Sequence, residues 1–276
     1  MTHMIYVVPS LKDKEKLQCE GKAWAESQGF AYVPRGKRTI QDLMDEYGED
    51  FLVYSSRGPQ IDRPEGSHFF SLNMAQLRIQ NLRKGQRDHL LEALMGVKEY
   101  DLRPAAAQPP ISVLDCTCGF GADAAVASFG LPAGSRVDAL EVSPLLEAVT
   151  AWGFSHFVHK KDDVTAALRR ISLRCGDYRD YLLSDDGPVY DVLYFDPMFQ
   201  RPVEASCQFQ PVRAIMEHGG LTRDLIERAL QKARRRVVIK ERDFRQLCRD
   251  FPDVALYGGK YSRIGYAVLE CDSWKK

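Results

Sequence analysis

The stretch Val113-Leu-Asp115-Cys-Thr-Cys-Gly119-Phe-Gly121-Ala-Asp123 joins an apolar segment, a turn with two glycines and the start of a helical segment. Residues 111–115 predict a buried strand and residues 122–129 predict a helix. The two glycines allow a tight turn and let a ligand approach the backbone without a Cβ in the way. The helix start offers free N–H groups as donors. The stretch predicts a binding loop after a buried strand, and the alternative is a tight turn without a ligand.

The chain beyond residue 110 continues with alternating strands and helices. The predicted strands are residues 136–141, 171–174, 190–195 and 237–239, and the predicted helices are residues 144–152 and 221–233. This alternation is typical of a mostly parallel sheet with helices on both faces. The end differs, because residues 254–257 and 265–270 flank a glycine-containing turn and predict an antiparallel hairpin.

The first hundred residues predict a smaller α+β unit. Its predicted strands are residues 5–8, 30–33, 51–54 and 68–72, and its predicted helices are residues 15–27 and 86–95. Proline and alanine are concentrated at residues 103–110, which indicates a linker or a loop before the next strand. We therefore expect an N-terminal α+β subdomain over residues 1–100 and a second domain over residues 101–276.

Composition excludes several classes of protein. The chain has 276 residues, 45% of them hydrophobic, and its 38 basic and 38 acidic residues cancel. Any binding to nucleic acid must therefore come from a local patch rather than from overall charge. We expect no membrane span and no signal peptide, because apolar runs are short and no basic stretch precedes the first one. Seven scattered cysteines without a Cys-x-x-Cys pair or a nearby histidine cluster predict no disulfide, no metal site and a cytoplasmic location.

Acidic residues follow two neighbouring strands of the predicted sheet. Glu141 ends the strand after the glycine loop, where an acid accepts hydrogen bonds from ribose hydroxyls. Asp177 follows the next strand, where its carboxylate can accept from an adenine amino group. The alternatives are a solvated side chain for Glu141 and a helix N-cap for Asp177. Because carboxyl ends of parallel strands share one crevice, these acids predict a site for a purine nucleoside.

The most specific motif is Asp196-Pro197-Met-Phe199, directly after the buried segment 191–195. An acid that emerges from a buried strand is costly unless it binds something. Proline fixes the backbone and directs a carbonyl outward, and an aromatic two residues later can stack on a planar ring. The motif predicts a second, planar substrate beside the nucleoside, and the alternative is a structural role.

Together these motifs resemble the class I S-adenosylmethionine-dependent methyltransferases. They are most similar to the RsmJ-type bacterial small-subunit rRNA guanine-N2 methyltransferases, from about Ala23 to Leu269. The resemblance implies a Rossmann-like, mostly parallel sheet with a terminal antiparallel hairpin and a small N-terminal α+β subdomain. It also implies S-adenosylmethionine as the cofactor. The loop and the resemblance together assign it these contacts: Asp115, Thr117, Gly119, Gly121, Ala122, Asp123, Glu141, Val142, Asp177, Tyr178 and Asp196.

The implied reaction is methyl transfer to the exocyclic amino group of a guanine in rRNA, without a metal or a covalent intermediate. The Asp196 carboxylate and the Pro197 carbonyl are predicted to accept from that amino group, and Phe199 to stack on the base. RNA or the small ribosomal subunit is the expected partner, with basic side chains on phosphates. The predicted RNA contacts are Arg78, Arg87, Arg201, Lys240 and Arg242.

Three alternatives share parts of this pattern. One is a methyltransferase that acts on a small molecule or a protein amide, and another is a catalytically silent module that binds a nucleotide or RNA. The third is a nicotinamide dehydrogenase. It is disfavoured by the terminal hairpin and by Thr117, which replaces the first glycine of the Gly-x-Gly-x-x-Gly dinucleotide-binding motif. The target nucleotide, the number of methyl groups and the oligomeric state stay open.

Overall fold

The computed structural model describes residues 4–11, 15–97, 108–197, 220–258 and 264–271. These residues form two compact units. The first contains the described residues up to 71 together with residues 143–157, and the second contains the other described residues. The predicted boundary at residue 100, between an N-terminal subdomain and a second domain, stays a prediction. Most of the predicted linker, residues 103–107, lies outside the described part of the chain.

The first unit is built on a five-stranded sheet with the order β2-β1-β3-β4-β5. Its strands are β1 (Tyr6–Pro9), β2 (Ala31–Tyr32), β3 (Phe51–Ser55), β4 (Gly58–Arg63) and β5 (Gly66–Phe69), and its helices are α1 (Glu15–Ser27), α2 (Ile40–Tyr47) and α6 (Pro144–His156). Strands β2, β1 and β3 are parallel, whereas β3, β4 and β5 form an antiparallel meander. Helix α6 packs against β4.

The second unit contains a seven-stranded sheet with the order β11-β12-β10-β9-β6-β7-β8. Its strands are β6 (Ser112–Asp115), β7 (Arg136–Glu141), β8 (Ile171–Cys175), β9 (Val192–Phe195), β10 (Arg236–Glu241), β11 (Ala255–Gly258) and β12 (Gly265–Glu270). Strands β10, β9, β6, β7 and β8 are parallel. Strand β12 is antiparallel to both β10 and β11. The prediction of a mostly parallel sheet with an antiparallel end is confirmed.

Seven described helices belong to the second unit. They are α3 (Asn73–Arg83), α4 (His89–Met95), α5 (Ala122–Gly130), α7 (Asp162–Leu168), α8 (Tyr178–Leu183), α9 (Arg223–Lys232) and α10 (Arg245–Asp250). Helix α4 begins three residues later than residues 86–95 predicted. The cause is local, because the Asp88 side chain accepts from the Leu90 N–H at 3.0 Å and caps the helix at that point.

The centre of the second sheet places the carboxyl ends of three strands side by side. All four residues of β9 are buried, and β9 lies between β6 and β10. Asp115 is in register with Tyr194, and Ile239 is in register with Phe195. The side chains that follow β6, β9 and β10 therefore meet at one edge of the sheet. No helix in the described ranges has both the length and the apolar composition to cross a membrane.

Candidate active site

The loop after β6 is fixed by hydrogen bonds to its neighbours. Asp115 is 2% exposed, and its carboxylate accepts from the Thr117 N–H at 3.1 Å. The Cys118 N–H donates to the Leu140 carbonyl at 2.9 Å, and the Gly119 N–H donates to Glu141 Oε2 at 2.8 Å. These bonds join the predicted binding loop to the end of β7. Burial raises the pKa of Asp115 well above its ordinary value. The hydrogen bond from the Thr117 N–H lowers this pKa, and the negative charges of nearby carboxylates raise it further.

The two glycines of this loop, which the sequence placed in a tight turn, have a left-handed backbone conformation. Gly119 has φ 54° and Gly121 has φ 73°, and Gly121 is the N-cap residue of α5. Among the described residues, apart from its two chain neighbours, a Cβ built on Gly119 would meet nothing nearer than the Thr117 carbonyl oxygen at 4.0 Å. The space beside Gly119 is therefore open, and a ligand can approach this backbone closely.

The acids after β7 and β8 have different surroundings. Glu141 is buried at the end of β7, in register with Cys175. Asp177 is the N-cap of α8. Its carboxylate accepts a hydrogen bond from the Arg179 backbone N–H at 2.8 Å and forms an ion pair with the Arg179 guanidinium. Asp177 thus has the capping geometry that was its alternative interpretation. A cofactor contact through Asp177 stays a prediction.

The other predicted cofactor positions surround the same loop. Ala122 is the first residue of α5 and Val142 follows β7, and both are partly exposed. Tyr178 is 7% exposed, and its ring packs edge-on against Phe195 with the ring centroids 5.4 Å apart. Tyr178 therefore contributes to the core of the second unit, and its predicted contact with the cofactor stays a prediction.

Asp196 lies directly after β9 and is held from two sides. Its backbone N–H donates to Thr117 Oγ1 at 2.7 Å, which joins the turn after β9 to the loop after β6. Its carboxylate Oδ2 accepts from Lys240 Nζ at 2.7 Å. Asp196 Oδ1 has no hydrogen-bond partner within the described ranges, and 28% of the side chain is exposed. This arrangement leaves one carboxylate oxygen for a ligand.

Lys240 bridges Asp196 to a second, more deeply buried carboxylate. Its Nζ also donates to Asp123 Oδ2 at 2.7 Å. The same Asp123 oxygen accepts from Tyr194 Oη at 2.7 Å, and Asp123 Oδ1 accepts from Arg78. The sequence suggested a cofactor contact for Asp123 and RNA contacts for Arg78 and Lys240. The structure brings these three side chains into one ion-paired cluster, and their contacts with ligands stay predictions.

The cluster determines which of its acids carries a charge. Burial alone would raise the pKa of Asp123, but the charges of Lys240 and Arg78 and the hydrogen bonds from Lys240 and Tyr194 bring it well below its ordinary value. Burial raises the pKa of Asp196 to about 6; the charge of Lys240 opposes that rise, and the charge of Asp123 adds to it. Burial disfavours the Lys240 ammonium, yet Asp123 and Asp196 raise its pKa above the ordinary value.

Other basic residues near the predicted RNA surface are also paired. Arg78 forms a bidentate ion pair with Asp88, with Nε and Nη2 each donating to a carboxylate oxygen at 2.8 Å. Arg87 donates from Nε to Glu92 at 2.6 Å, and Arg83 pairs with Asp163. Arg242 follows β10 and is exposed. Much of the positive charge in the predicted patch is therefore balanced within the protein.

Two predicted site residues, Phe199 and Arg201, lie outside the described residues. The connection from Arg78 through Asp123 to Lys240 was not predicted. One signal was available, because Lys240 follows Ile239, which is in register with Phe195. That signal predicts the pairing only if β9 and β10 are known to be neighbours in the sheet, and the sequence alone does not specify the strand order. No group of three or more potential metal ligands is found in the part of the chain that the structure describes.

Comparison with known proteins identifies the family. A family model described as "Putative SAM-dependent methyltransferase" matches residues 73–264, which is more than half of the chain. The chain belongs to this family. Specifically, this methyltransferase is of the RsmJ type: it is 30% identical over 205 residues to Ribosomal RNA small subunit methyltransferase J from Thioalkalivibrio sulfidiphilus, covering 72% of each chain. The resemblance inferred from the motifs is confirmed.

Two further comparisons extend over most of the methyltransferase. It is 28% identical to YpiP of Bacillus subtilis, described as an uncharacterized protein, covering 85% of this chain and 88% of that one. The crystal structure of a SAM-dependent methyltransferase from Neisseria gonorrhoeae has a TM-score of 0.62 at 17% identity, covering 97% of this chain and 96% of that one. The structural likeness supports the Rossmann-like methyltransferase fold.

The cofactor of the family is S-adenosylmethionine, and the loop after β6 suits it. The open space beside Gly119 admits a ligand against the backbone. The buried Glu141 carboxylate lies next to that space, hydrogen-bonded to the Gly119 N–H, where it can accept from ribose hydroxyls. These features are compatible with a nucleoside, and binding of the cofactor at this edge of the second sheet stays a prediction.

Proposed function

We propose that this methyltransferase transfers a methyl group to the exocyclic N2 of a guanine in small-subunit rRNA. The observation that carries the proposal is the placement of Asp196 and Pro197 at the end of β9, beside the glycine loop that suits the cofactor. The choice of RNA is supported by the 30% identity to a relative named Ribosomal RNA small subunit methyltransferase J. We place the reaction in the cytoplasm, where ribosomal subunits are made.

The chemical difficulty is the low nucleophilicity of an exocyclic amino nitrogen, whose lone pair is delocalised into the base. When bound, S-adenosylmethionine supplies an electrophilic methyl group on a sulfonium, and transfer breaks the S–C bond and leaves a neutral thioether. The Asp196 carboxylate and the Pro197 carbonyl accept hydrogen bonds from the two N–H groups of the amino nitrogen and thereby orient its lone pair. Positioning of this kind contributes about 7–11 kcal/mol in favourable cases.

The proton balance gives Asp196 a second role. The amino nitrogen forms a bond to the methyl group, gains a positive charge and must then release one proton. Asp196 Oδ1 is available to take it, because Lys240 occupies Oδ2. With a pKa of about 6, Asp196 is largely ionised at neutral pH and is a competent acceptor. Phe199 completes the site by stacking on the guanine in this proposal.

RNA must reach this site with one base unstacked, which costs a few kcal/mol. We propose that Arg87, Arg201 and Arg242 help to hold the backbone through phosphate contacts, which position the RNA without reading its sequence. Arg242 is the best placed of the described ones, because it follows the carboxyl end of β10 beside the cluster of Lys240.

The test is transfer of labelled methyl groups by the purified enzyme to candidate substrates. Small ribosomal subunits or small-subunit rRNA should become labelled at guanine N2, whereas protein and small-molecule extracts should not. Asp196→Asn should abolish most transfer, with a much smaller effect on S-adenosylmethionine binding, and Asp185→Asn, at an exposed acid, is the matched control. Labelling of protein or small molecules alone would contradict the RNA assignment. Binding of S-adenosylmethionine without any transfer would favour a silent module.

A further inference from the structure

Lys240 lies between two carboxylates at the end of β10. Its side chain is 14% exposed, and its Nζ is 2.7 Å from both Asp123 Oδ2 and Asp196 Oδ2. The parallel register of β9 and β10 sets the spacing, because Ile239 is opposite Phe195 and the residues that follow them, Lys240 and Asp196, are the charged pair. An ammonium that already has two carboxylate partners at this burial has little left for an RNA phosphate.

The second carboxylate is a fixed anchor rather than a mobile acid. Asp123 is held on Oδ1 by Arg78 and on Oδ2 by Tyr194 Oη. Arg78 is itself held by two hydrogen bonds of 2.8 Å to Asp88, the N-cap of α4. Three elements, α3, α4 and α5, thus fix the position of the ammonium, and the ammonium fixes one oxygen of Asp196.

We propose that Lys240 is a positioning residue for methyl transfer, holding Oδ2 of Asp196 so that Oδ1 faces the amino group of the substrate. This inference rests on the proposed role of Asp196. It differs from the phosphate contact that the sequence suggested for Lys240. The lysine does not accept the proton, because an ammonium has no acceptor; the proton passes to Asp196.

The charges around Asp196 explain why an ammonium is needed there. Asp115, Asp123 and Glu241 are negative or acidic neighbours from β6, α5 and β10, and Tyr194 and Tyr266 from β9 and β12 face the same cluster. Against them stand the positive charges of Lys240 and Arg78. Removal of Lys240 leaves Asp196 buried among like charges, which favours its protonated form and removes its ability to accept.

The experiment compares Lys240→Met and Lys240→Arg with wild type, and Lys160→Met at an exposed lysine serves as the matched control. We expect kcat to fall roughly 100-fold in Lys240→Met, as for a displaced reacting group. The KM for RNA and the Kd for S-adenosylmethionine should change little. The acid limb of the pH–kcat profile should move to higher pH. The Lys240→Arg variant keeps a charge and should keep the acid limb near its wild-type position, with kcat reduced because the longer side chain displaces Oδ2.

Two results would overturn the inference. One is an unchanged kcat and acid limb in Lys240→Met; the other is a raised KM for RNA with an unchanged kcat in that variant, as a phosphate contact predicts. Should Lys240→Met not fold, Lys240→Arg decides alone, since an unchanged kcat in it contradicts a positioning role. A carboxyl NMR titration of aspartate-labelled protein, assigned with Asp196→Asn, needs no substrate. It therefore separates a wrong role for Lys240 from a wrong choice of substrate.

Discussion

The Asp196 backbone N–H donates a hydrogen bond to Thr117 Oγ1 at 2.7 Å, across 79 residues of sequence. Thr117 belongs to the loop after β6, and Asp196 belongs to the turn after β9. The bond therefore joins the loop predicted to bind the cofactor to the acid proposed to contact the substrate. The cofactor contact predicted for Thr117 stays a prediction, and the structure shows that its side chain joins these two segments.

Replacement of Thr117 by valine tests that role. Thr117→Val keeps the shape but removes the acceptor, and the part-buried Asp196 N–H left without this partner should lower the unfolding free energy by about 1 kcal/mol, less than for a fully buried donor. Asp196 should also lose its alignment, so kcat should fall with a smaller change in the Kd for S-adenosylmethionine. Thr117→Ser retains the hydroxyl and is the control. A valine variant with wild-type kcat would show that the bond is dispensable.

The pH dependence of transfer should follow Asp196. Burial raises the pKa of its carboxyl to about 6 despite the charge of Lys240, so the group is protonated below that pH and ionised above it. Only the ionised form accepts a proton from the amino nitrogen. Single-turnover transfer should therefore decline as pH falls through about 6, while S-adenosylmethionine binding persists. A rate that stays constant down to pH values well below 6 would rule out Asp196 as the acceptor.

A pair of glycine substitutions separates backbone strain from ligand contact. Gly119→Ala and Gly29→Ala both place an alanine at positive φ, 54° and 72°, and apart from chain neighbours no atom of the described segments lies closer than 4.0 Å to the added Cβ. Each should lower the unfolding free energy by about 1–2 kcal/mol. Only Gly119→Ala should also weaken S-adenosylmethionine binding in calorimetry, because its Cβ enters the space assigned to the cofactor. Equal affinity in the two variants would argue against that assignment.

Arg242 offers a test of the RNA contact. Arg242→Ala should weaken RNA binding about equally for different sequences, and it should lower the slope of log affinity against log salt concentration by about 1. Filter binding across a salt series measures both quantities. Arg228→Ala, at an exposed arginine on α9, is the control and should leave the slope unchanged. An unchanged slope for Arg242→Ala would remove Arg242 from the interface.

The sequence predicted those parts of the fold that have strong local signals. Strands β7 and β12 coincide with the predicted residues 136–141 and 265–270. Strand β12 is a nearly continuous apolar run, and in β7 the apolar residues Val137, Ala139 and Leu140 lie between charged ones. Helix α3 was not predicted, although Ala75, Ile79 and Leu82 have helical spacing and are buried. Its other residues are mostly polar, which weakens the periodic signal.

The site was predictable in its acids and glycines but not in their connections. Glu141 and Asp196 were singled out because Glu141 ends one predicted strand and Asp196 directly follows another. The pairing of Lys240 with Asp123 spans 117 residues, and that of Arg78 with Asp123 spans 45. Such contacts depend on strand order and helix packing, which local patterns do not specify. The sequence left two interpretations of Asp177 open, and the structure shows that it caps the N-terminus of α8.

The central claim is tested most directly by mapping modified nucleotides in small-subunit rRNA by mass spectrometry. The rRNA would come from cells with the gene, cells without it, and deleted cells that carry the wild-type or the Asp196→Asn gene. We predict one N2-methylated guanine that is lost on deletion, restored by the wild-type gene and not restored by Asp196→Asn. An identical pattern of methylated guanines with and without the gene would contradict the account.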